Sequence, residues 1–272
     1  MLADYHMHTA LCQHAKGTPL DYLKKAQSLG LEEICFTDHA PAPCGYDPTN
    51  RMQLAQHTQY RDMIQDLISS RPSRSSPPTI LFGTEADYYA GCQDFLTDWL
   101  PAQDFDLVLG SVHYIGDWGF DDPAQIDGWK NADITRTWQQ YFQLLIQLAQ
   151  TGLYDVVAHL DLPKKFGHRP PPADLSAMAT PALDAIATAS MAIDINTCGL
   201  RRPADEIYPS ASILKMACQR NIPITFGSDA HDPDDVGSAF DQALILAREA
   251  GYTQCARFRK RNLQLVDLPQ SF

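Results

Sequence analysis

The chain has 272 residues, of which 44% are hydrophobic and 20% are charged, and its formal net charge is −12. This length and balance are typical of a globular protein with one large α/β domain or two small ones. The negative charge argues against binding to long nucleic acid or to an anionic membrane surface, because the overall field repels polyanions. No apolar stretch is long enough to span a bilayer.

The cysteines and the N-terminal segment bear on the cellular compartment. The seven cysteines are odd in number and form no CxxC pair, so we do not expect a disulfide framework. The N-terminal sequence has no basic start followed by an apolar run, so we do not expect a signal peptide. Both features predict a cytoplasmic protein.

Short strand-like runs alternate with longer helical segments along the chain. We predict seven strands, because these runs are rich in branched or apolar residues and bounded by Gly, Pro or Asp. They cover residues 3–6, 33–37, 79–85, 105–112, 155–159, 191–196 and 223–227. The helices predicted between them cover residues 19–28, 51–70, 134–151, 174–190, 210–220 and 234–249. Residues 71–78, rich in Ser and Pro, predict a mobile surface loop.

This order of elements predicts the fold class. Strands that alternate with helices imply parallel βαβ units, and in such folds ligands bind at the carboxyl ends of the strands. The sequence has no internal repeat and no linker. We therefore predict an α/β protein with a single domain over residues 1–272, closed as a barrel of about seven βα units.

Histidines and carboxylates gather where the predicted strands end. His6 and His8 are two residues apart in an extended segment, so both side chains point to the same side. Seven of the nine histidines, one Glu and one Asp lie at or just after the ends of predicted strands. The candidates are His6, His8, His14, His39, Glu85, His113, His159, Asp229 and His231. Imidazole and carboxylate groups bind zinc, iron or manganese, and nine of them are too many for one ion. We therefore predict a cluster of two or three metals.

The ordered motifs resemble those of a known family. HxH at residues 6–8, TDH at 37–39, Glu85, SVH at 111–113, AHLD at 158–161 and GSDAH at 227–231 together resemble the PHP family, which includes polymerase-associated and histidinol-phosphatase members. Four further stretches resemble its histidinol-phosphatase branch. They are GTEADYY (83–89), GSVHYIGDWGFD (110–121), HLDLPKKFG (159–167) and INTCGLRRPADEIYPS (195–210).

This resemblance implies a distorted (βα)7 TIM-like barrel with three divalent metal ions at the C-terminal ends of the strands. Zinc is the expected metal, with iron or manganese as alternatives. The implied ligands are His6, His8, Glu85 and Asp229 for one ion, Glu85, His113 and His159 for a second, and His14, His39 and His231 for a third. One position departs from the branch, because Asp194 stands where Glu is expected, and its role stays open.

The resemblance also implies an activity in histidine biosynthesis. A metal-bound hydroxide would attack the phosphorus of L-histidinol phosphate and yield L-histidinol and inorganic phosphate. The implied catalytic residues are Glu85, as the bridging ligand, and Asp229 or His231, either of which could pass a proton to the leaving oxygen.

Basic residues near the same strand ends predict the phosphate receptor. In an acidic protein such local cations suggest an anion site, and Arg offers bidentate contact to phosphate. The candidates are Lys164, Lys165, His168, Arg201 and Arg202. For the cationic amine and the imidazole of the substrate the candidates are Asp87, Tyr88, Trp118 and Asp121.

Two alternatives stay open at this point. One is a PHP phosphoesterase that acts on nucleotides or on nucleic-acid ends, although the net charge disfavours long nucleic acid. The other is a non-catalytic metal-binding module. The sequence does not indicate an oligomeric state.

Overall fold

The computed structural model describes residues 2–71 and 77–272. The loop predicted over residues 71–78 lies mostly outside these ranges. None of the helices in the described ranges combines the length and the apolarity that a membrane-spanning helix needs.

All seven predicted strands are present, and they form a parallel sheet in chain order. The strands are β1 (Ala3–Asp4), β2 (Glu33–Phe36), β3 (Thr79–Asp87), β4 (Leu107–Ser111), β5 (Val156–Val157), β6 (Ala192–Asn196) and β7 (Ile224–Gly227). The chain just after β1 reaches the last strand, because the Tyr5 N–H donates to the Phe226 carbonyl at 2.9 Å. The His8 N–H likewise donates to the Ala230 carbonyl at 2.9 Å. These bonds close the sheet into a nearly complete seven-stranded barrel, which confirms the predicted fold.

In the described ranges, six helices connect these strands and a seventh follows β7. They are α1 (Pro19–Ser28), α2 (His57–Ser69), α3 (Gln93–Trp99), α4 (Ile134–Gln150), α5 (Pro172–Thr188), α6 (Ala211–Cys218) and α7 (Phe240–Glu249). The predicted helix at 51–70 begins only at His57, and α3 is an addition to the predicted set. Helix α4 buries Trp138, Tyr141, Leu145 and Leu148 against the barrel, because these residues recur at helical spacing on one face.

An antiparallel hairpin that was not predicted covers the end of the barrel at which the strands begin. It consists of β8 (Gln254–Arg259) and β9 (Asn262–Asp267). Its arginines contact carboxylates at the start of barrel strands, as Arg259 does with Glu33 and Arg261 with Asp155. Phe258 packs with the apolar side chains inside the barrel. Among the described residues, apolar side chains therefore close the interior of the barrel at this end.

Candidate metal centre and active site

The nine predicted ligands lie together at the carboxyl ends of the strands. Glu85 is part of β3, and the others lie in the segments that follow β1, β2, β4, β5 and β7. Parallel strands direct all these segments to one rim of the barrel, so residues far apart in the chain meet there. Five of the nine are buried, and His14 is the most exposed member of the set.

Glu85 is the centre of this cluster. Its side chain is 1% exposed, and its two oxygens face five imidazoles. Oε2 lies 3.1 Å from His39 Nδ1, 3.4 Å from His6 Nε2 and 3.6 Å from His8 Nε2. Oε1 lies 3.0 Å from His159 Nε2 and 3.7 Å from His113 Nε2. Because each oxygen faces a different group of rings, one carboxylate can serve two neighbouring ions.

Asp229 forms the second carboxylate of the cluster. Its Oδ1 lies 3.2 Å from His8 Nε2, 3.4 Å from His231 Nδ1 and 3.7 Å from His6 Nε2. The backbone of Asp229 has a φ of 52° and that of His159 a φ of 30°, a region that non-glycine residues rarely adopt. Such conformations persist where the surrounding structure enforces them, and they concentrate at functional sites.

His14 and His231 form the outer part of the cluster. Their rings stack with centroids 4.5 Å apart, and His14 Nδ1 contacts the Cys12 carbonyl at 2.8 Å. This contact leaves His14 Nε2 available to a metal. Ligand atoms of His8, His39 and His231 also lie within 4.8 Å of one another. Two members of the implied trio, His39 and His231, therefore lie next to His8, and His14 lies next to both of them.

Buried carboxylates contact the Nδ1 atoms of two of the rings. Asp194 contacts His6 Nδ1 at 2.9 Å, and Asp87 contacts His113 Nδ1 at 3.1 Å. Each contact turns the opposite nitrogen, Nε2, towards Glu85. The sequence left Asp194 without a role and missed this role of Asp87. The spacing could have revealed Asp87, because it is two residues beyond Glu85 on β3 and points to the same side.

The charges of the cluster are strongly coupled. Burial alone would raise the pKa of the Glu85 carboxyl, but the surrounding imidazoles, His6 and His39 foremost, hold this pKa well below its usual range. Burial would lower the pKa of His113, yet Asp87 and Asp121 raise it to about 10. Burial and the nearby His39 and His8 lower the pKa of His14 to about 4. The low pKa of His14 keeps this ring neutral at neutral pH, which is the form that binds metal.

The chemistry of the cluster fits divalent metal ions. Buried ring nitrogens without a hydrogen-bond partner include His6 Nε2, His8 Nε2, His39 Nδ1 and His231 Nε2. Buried polar atoms are normally satisfied, so nitrogens that point at one another and at carboxylates indicate a cation between them. Mixed nitrogen and oxygen donors suit zinc, iron or manganese. A cavity of about 430 Å³ opens directly above these atoms.

Comparison with known proteins places the chain in a family. Residues 4–198 match the family model described as the PHP domain, and residues 212–252 match the one described as PHP-associated. The chain belongs to the PHP family.

Named relatives of this PHP protein extend over nearly all of its length. A probable histidinol-phosphatase from Deinococcus radiodurans is 41% identical and covers 97% of this chain and 98% of its own. The histidinol-phosphatase of Bacillus subtilis is 31% identical over 89% of this chain and 97% of its own. A solved Lactococcus lactis histidinol phosphate phosphatase, in complex with zinc, L-histidinol and phosphate, shares the fold with a TM-score of 0.78. Its sequence identity is 22%, and the match covers 97% of this chain and 98% of that one.

Two of the five predicted phosphate-binding residues line the cavity of this PHP protein. Lys165 Nζ contacts Asp121 at 2.9 Å, and Arg202 Nε contacts Cys198 Sγ at 3.4 Å. Both cations line the same cavity as the ligand cluster.

The other three predicted phosphate-binding residues are engaged elsewhere. Lys164 is 1% exposed and its Nζ contacts Asp161 and Glu206, each at 2.9 Å. Arg201 donates to the Ser228 carbonyl at 2.7 Å, and the ring of His168 stacks on Trp129 at 4.4 Å. None of these three residues lines the cavity.

Proposed function

We propose that this PHP protein is a metal-dependent histidinol-phosphatase that converts L-histidinol phosphate and water to L-histidinol and inorganic phosphate. The observation that carries the proposal is the 41% identity to a probable histidinol-phosphatase over 97% of the chain. The cavity supports it, since it combines a cluster of metal-binding side chains with two cations and has room for a small phosphomonoester. This reaction belongs to histidine biosynthesis.

We further propose that three divalent ions occupy the cluster, with zinc as the principal metal. His6, His8, Glu85 and Asp229 would hold one ion. Glu85, His113 and His159 would hold the second, and His14, His39 and His231 the third. Divalent ions in such a site activate water at neutral pH and neutralise the charge of phosphoryl oxygens. Zinc accompanies the Lactococcus lactis relative, but this donor set also accepts iron or manganese.

The side chains of the chain itself have distinct roles in this proposal. Lys165 and Arg202 would receive the phosphate dianion, Arg202 through its planar guanidinium. Asp229 and His231 are the candidates for delivering a proton to the leaving oxygen, because Asp229 Oδ1 and His231 Nδ1 are 3.4 Å apart at the cavity wall. Lys164, Arg201 and His168 would support the loops that carry these groups rather than bind substrate.

We propose that residues 1–272 form one domain, because the helix α7 packs on the barrel and the hairpin of β8 and β9 seals it. We also propose a cytoplasmic location. The six cysteines whose side chains the structure describes are free thiols, as is usual in reducing compartments.

A substrate competition tests the activity. Purified protein with its metals should show a higher kcat/KM for L-histidinol phosphate than for nucleoside monophosphates. Glu85→Ala should lose metal and activity together, because Glu85 faces five of the imidazoles, whereas Glu249→Ala, on the exposed side of α7, should keep both. Higher kcat/KM values for the nucleotides would favour the other phosphoesterase. Full metal content without any phosphatase activity would favour the non-catalytic module.

A further inference from the structure

Asp47 lies in the segment between β2 and α2 and lines the cavity near the metal cluster. Its side chain is only 5% exposed. Its backbone has a φ of 41°, which a residue with a side chain rarely adopts. Strain of this kind is retained where the local structure demands it, and it concentrates at ligand-binding positions. No sequence motif singled out Asp47.

Three donors fix the orientation of the Asp47 carboxylate. Oδ1 accepts hydrogen bonds from the Tyr114 hydroxyl at 3.0 Å and from Asn50 Nδ2 at 2.7 Å. Oδ2 accepts one from Arg51 Nη2 at 3.1 Å. A carboxylate has about four acceptor positions, so one position remains on Oδ2. Tyr114 and Asn50 also line the cavity, which places this carboxylate within the wall that a substrate would touch.

Asp47 shares its cation with a second carboxylate. Arg51 is 3% exposed, and the same Nη2 that contacts Asp47 also contacts Asp87 Oδ2 at 2.8 Å. Asp87 in turn contacts His113. Arg51 is therefore not the exclusive partner of Asp47, and a carboxylate in a poorly hydrated wall attracts a cationic ligand group.

Other carboxylates of the cavity are already engaged. Asp121 contacts Lys165 at 2.9 Å, and Asp235 contacts Arg201 at 3.3 Å. Asp122 accepts from the Ala124 N–H at 2.8 Å and caps a short helix. Asp47 therefore combines burial, a free acceptor position and a cation that it shares with Asp87.

We propose that Asp47 determines specificity by accepting a hydrogen bond from the protonated amine of the substrate. The site would thereby select phosphomonoesters that carry a cationic amine close to the phosphate, and Tyr114 and Asn50 would position Asp47 for this contact. The inference rests on the proposed function. It adds the residue that recognises the part of the substrate remote from the metals.

The test compares L-histidinol phosphate with its analogue that lacks the amine, 3-(imidazol-4-yl)propyl phosphate. Asp47→Asn should raise KM for L-histidinol phosphate about tenfold and leave the kinetics with the analogue unchanged, because only the charge-assisted hydrogen bond is lost. Asp122→Asn is the matched control, because it removes a cavity carboxylate that caps a helix. It should change KM for both substrates equally or for neither. Metal content and Tm of each variant establish that the centre is intact.

Equal losses on both substrates, or no loss on either, would overturn the assignment to Asp47. A selective loss in Asp122→Asn would transfer it to Asp122. If Asp47→Asn does not fold, Tyr114→Phe provides the second test, since it frees Asp47 without removing its charge and should give a smaller loss confined to L-histidinol phosphate. Failure of the wild-type protein to prefer L-histidinol phosphate over nucleotides would instead count against the proposed function.

Discussion

At the scale of single residues, the fully buried pair of His6 and Asp194 controls one edge of the metal centre. Asp194 Oδ2 contacts His6 Nδ1 at 2.9 Å and also accepts from Asn196 Nδ2 at 3.0 Å. Gly227 makes room for the pair, because a Cβ there would lie 2.6 Å from Asp194 Oδ1 and 2.6 Å from His6 Cβ. A carboxylate behind an imidazole fixes the ring and increases its basicity, which strengthens metal binding.

Asp194→Ala should therefore weaken metal binding by about 10- to 100-fold while the fold is retained. Competition with a chromophoric chelator measures this affinity directly. Asp127→Ala is a suitable control, because Asp127 is exposed and pairs only locally with Lys130. Unchanged affinity in Asp194→Ala would show that the contact with His6 does not orient the ring.

The candidate ligands were predictable from the sequence, and so was the orientation of Asp87, whereas most contacts that support the ligands were not. HxH spacing and strand ends identify side chains that share a rim without any knowledge of the tertiary structure. The contacts of Asp194 with His6 and of Arg51 with Asp87 join different strands and loops, so only the closed barrel reveals them. The same holds for Lys164, whose basic character suggested a phosphate site although it is buried among carboxylates.

At the scale of elements, the seven strands could be predicted because each is a short apolar run between turn residues. The hairpin of β8 and β9 could not. Its two-residue turn is Lys260-Arg261, with φ values of 48° and 64°, where the usual signal would be Asn-Gly. Contacts outside the hairpin hold this turn, since Arg261 contacts Asp155 at 3.0 Å and donates to the Leu153 carbonyl at 2.7 Å. Tertiary contacts thus stabilise a turn that its own two residues do not favour.

Arg261→Ala should lower the free energy of unfolding by about 2 kcal/mol, because the mostly buried Asp155 loses its cation. Alanine and arginine are similarly strained at positive φ, so the difference reports the lost contacts. Kinetic constants should stay at wild-type values, since the hairpin lies at the end of the barrel remote from the cavity. Urea unfolding and steady-state kinetics measure the two quantities. A reduced kcat/KM with unchanged stability would contradict this separation.

At the scale of the whole molecule, the barrel is polarised between an apolar end under the hairpin and a polar end at the metal cluster. Alternation of strands and helices was sufficient to predict the barrel and its functional rim. The pH dependence of unfolding, by contrast, depends on side chains that only packing defines. His57 is an example, because it is buried among the rings of Tyr60, Phe82, Trp99 and Phe105.

Burial, assisted by Arg61, lowers the pKa of His57 to about 4. The unfolded chain, with an ordinary histidine pKa of about 6.5, therefore binds this proton first as the pH falls. The contribution of neutral His57 to the free energy of unfolding is constant above about pH 6.5 and is lost progressively between about pH 6.5 and 4. His57→Phe should remove it, so the wild type should lose up to about 2 kcal/mol more than the variant between pH 7 and 5. Urea unfolding of both proteins at equal metal load measures this, and parallel declines would refute the assignment.

The ligand cluster draws on both ends of the chain, from His6 and His8 near the start to Asp229 and His231 near the end. During synthesis, the ribosome must release most of the polypeptide before Asp229 can meet His8. The nascent chain consequently carries an incomplete set of donors until the first and last strands pair. A product terminated before Asp229 would lack donors for two of the three proposed ions, so we expect it to bind less metal than the full chain.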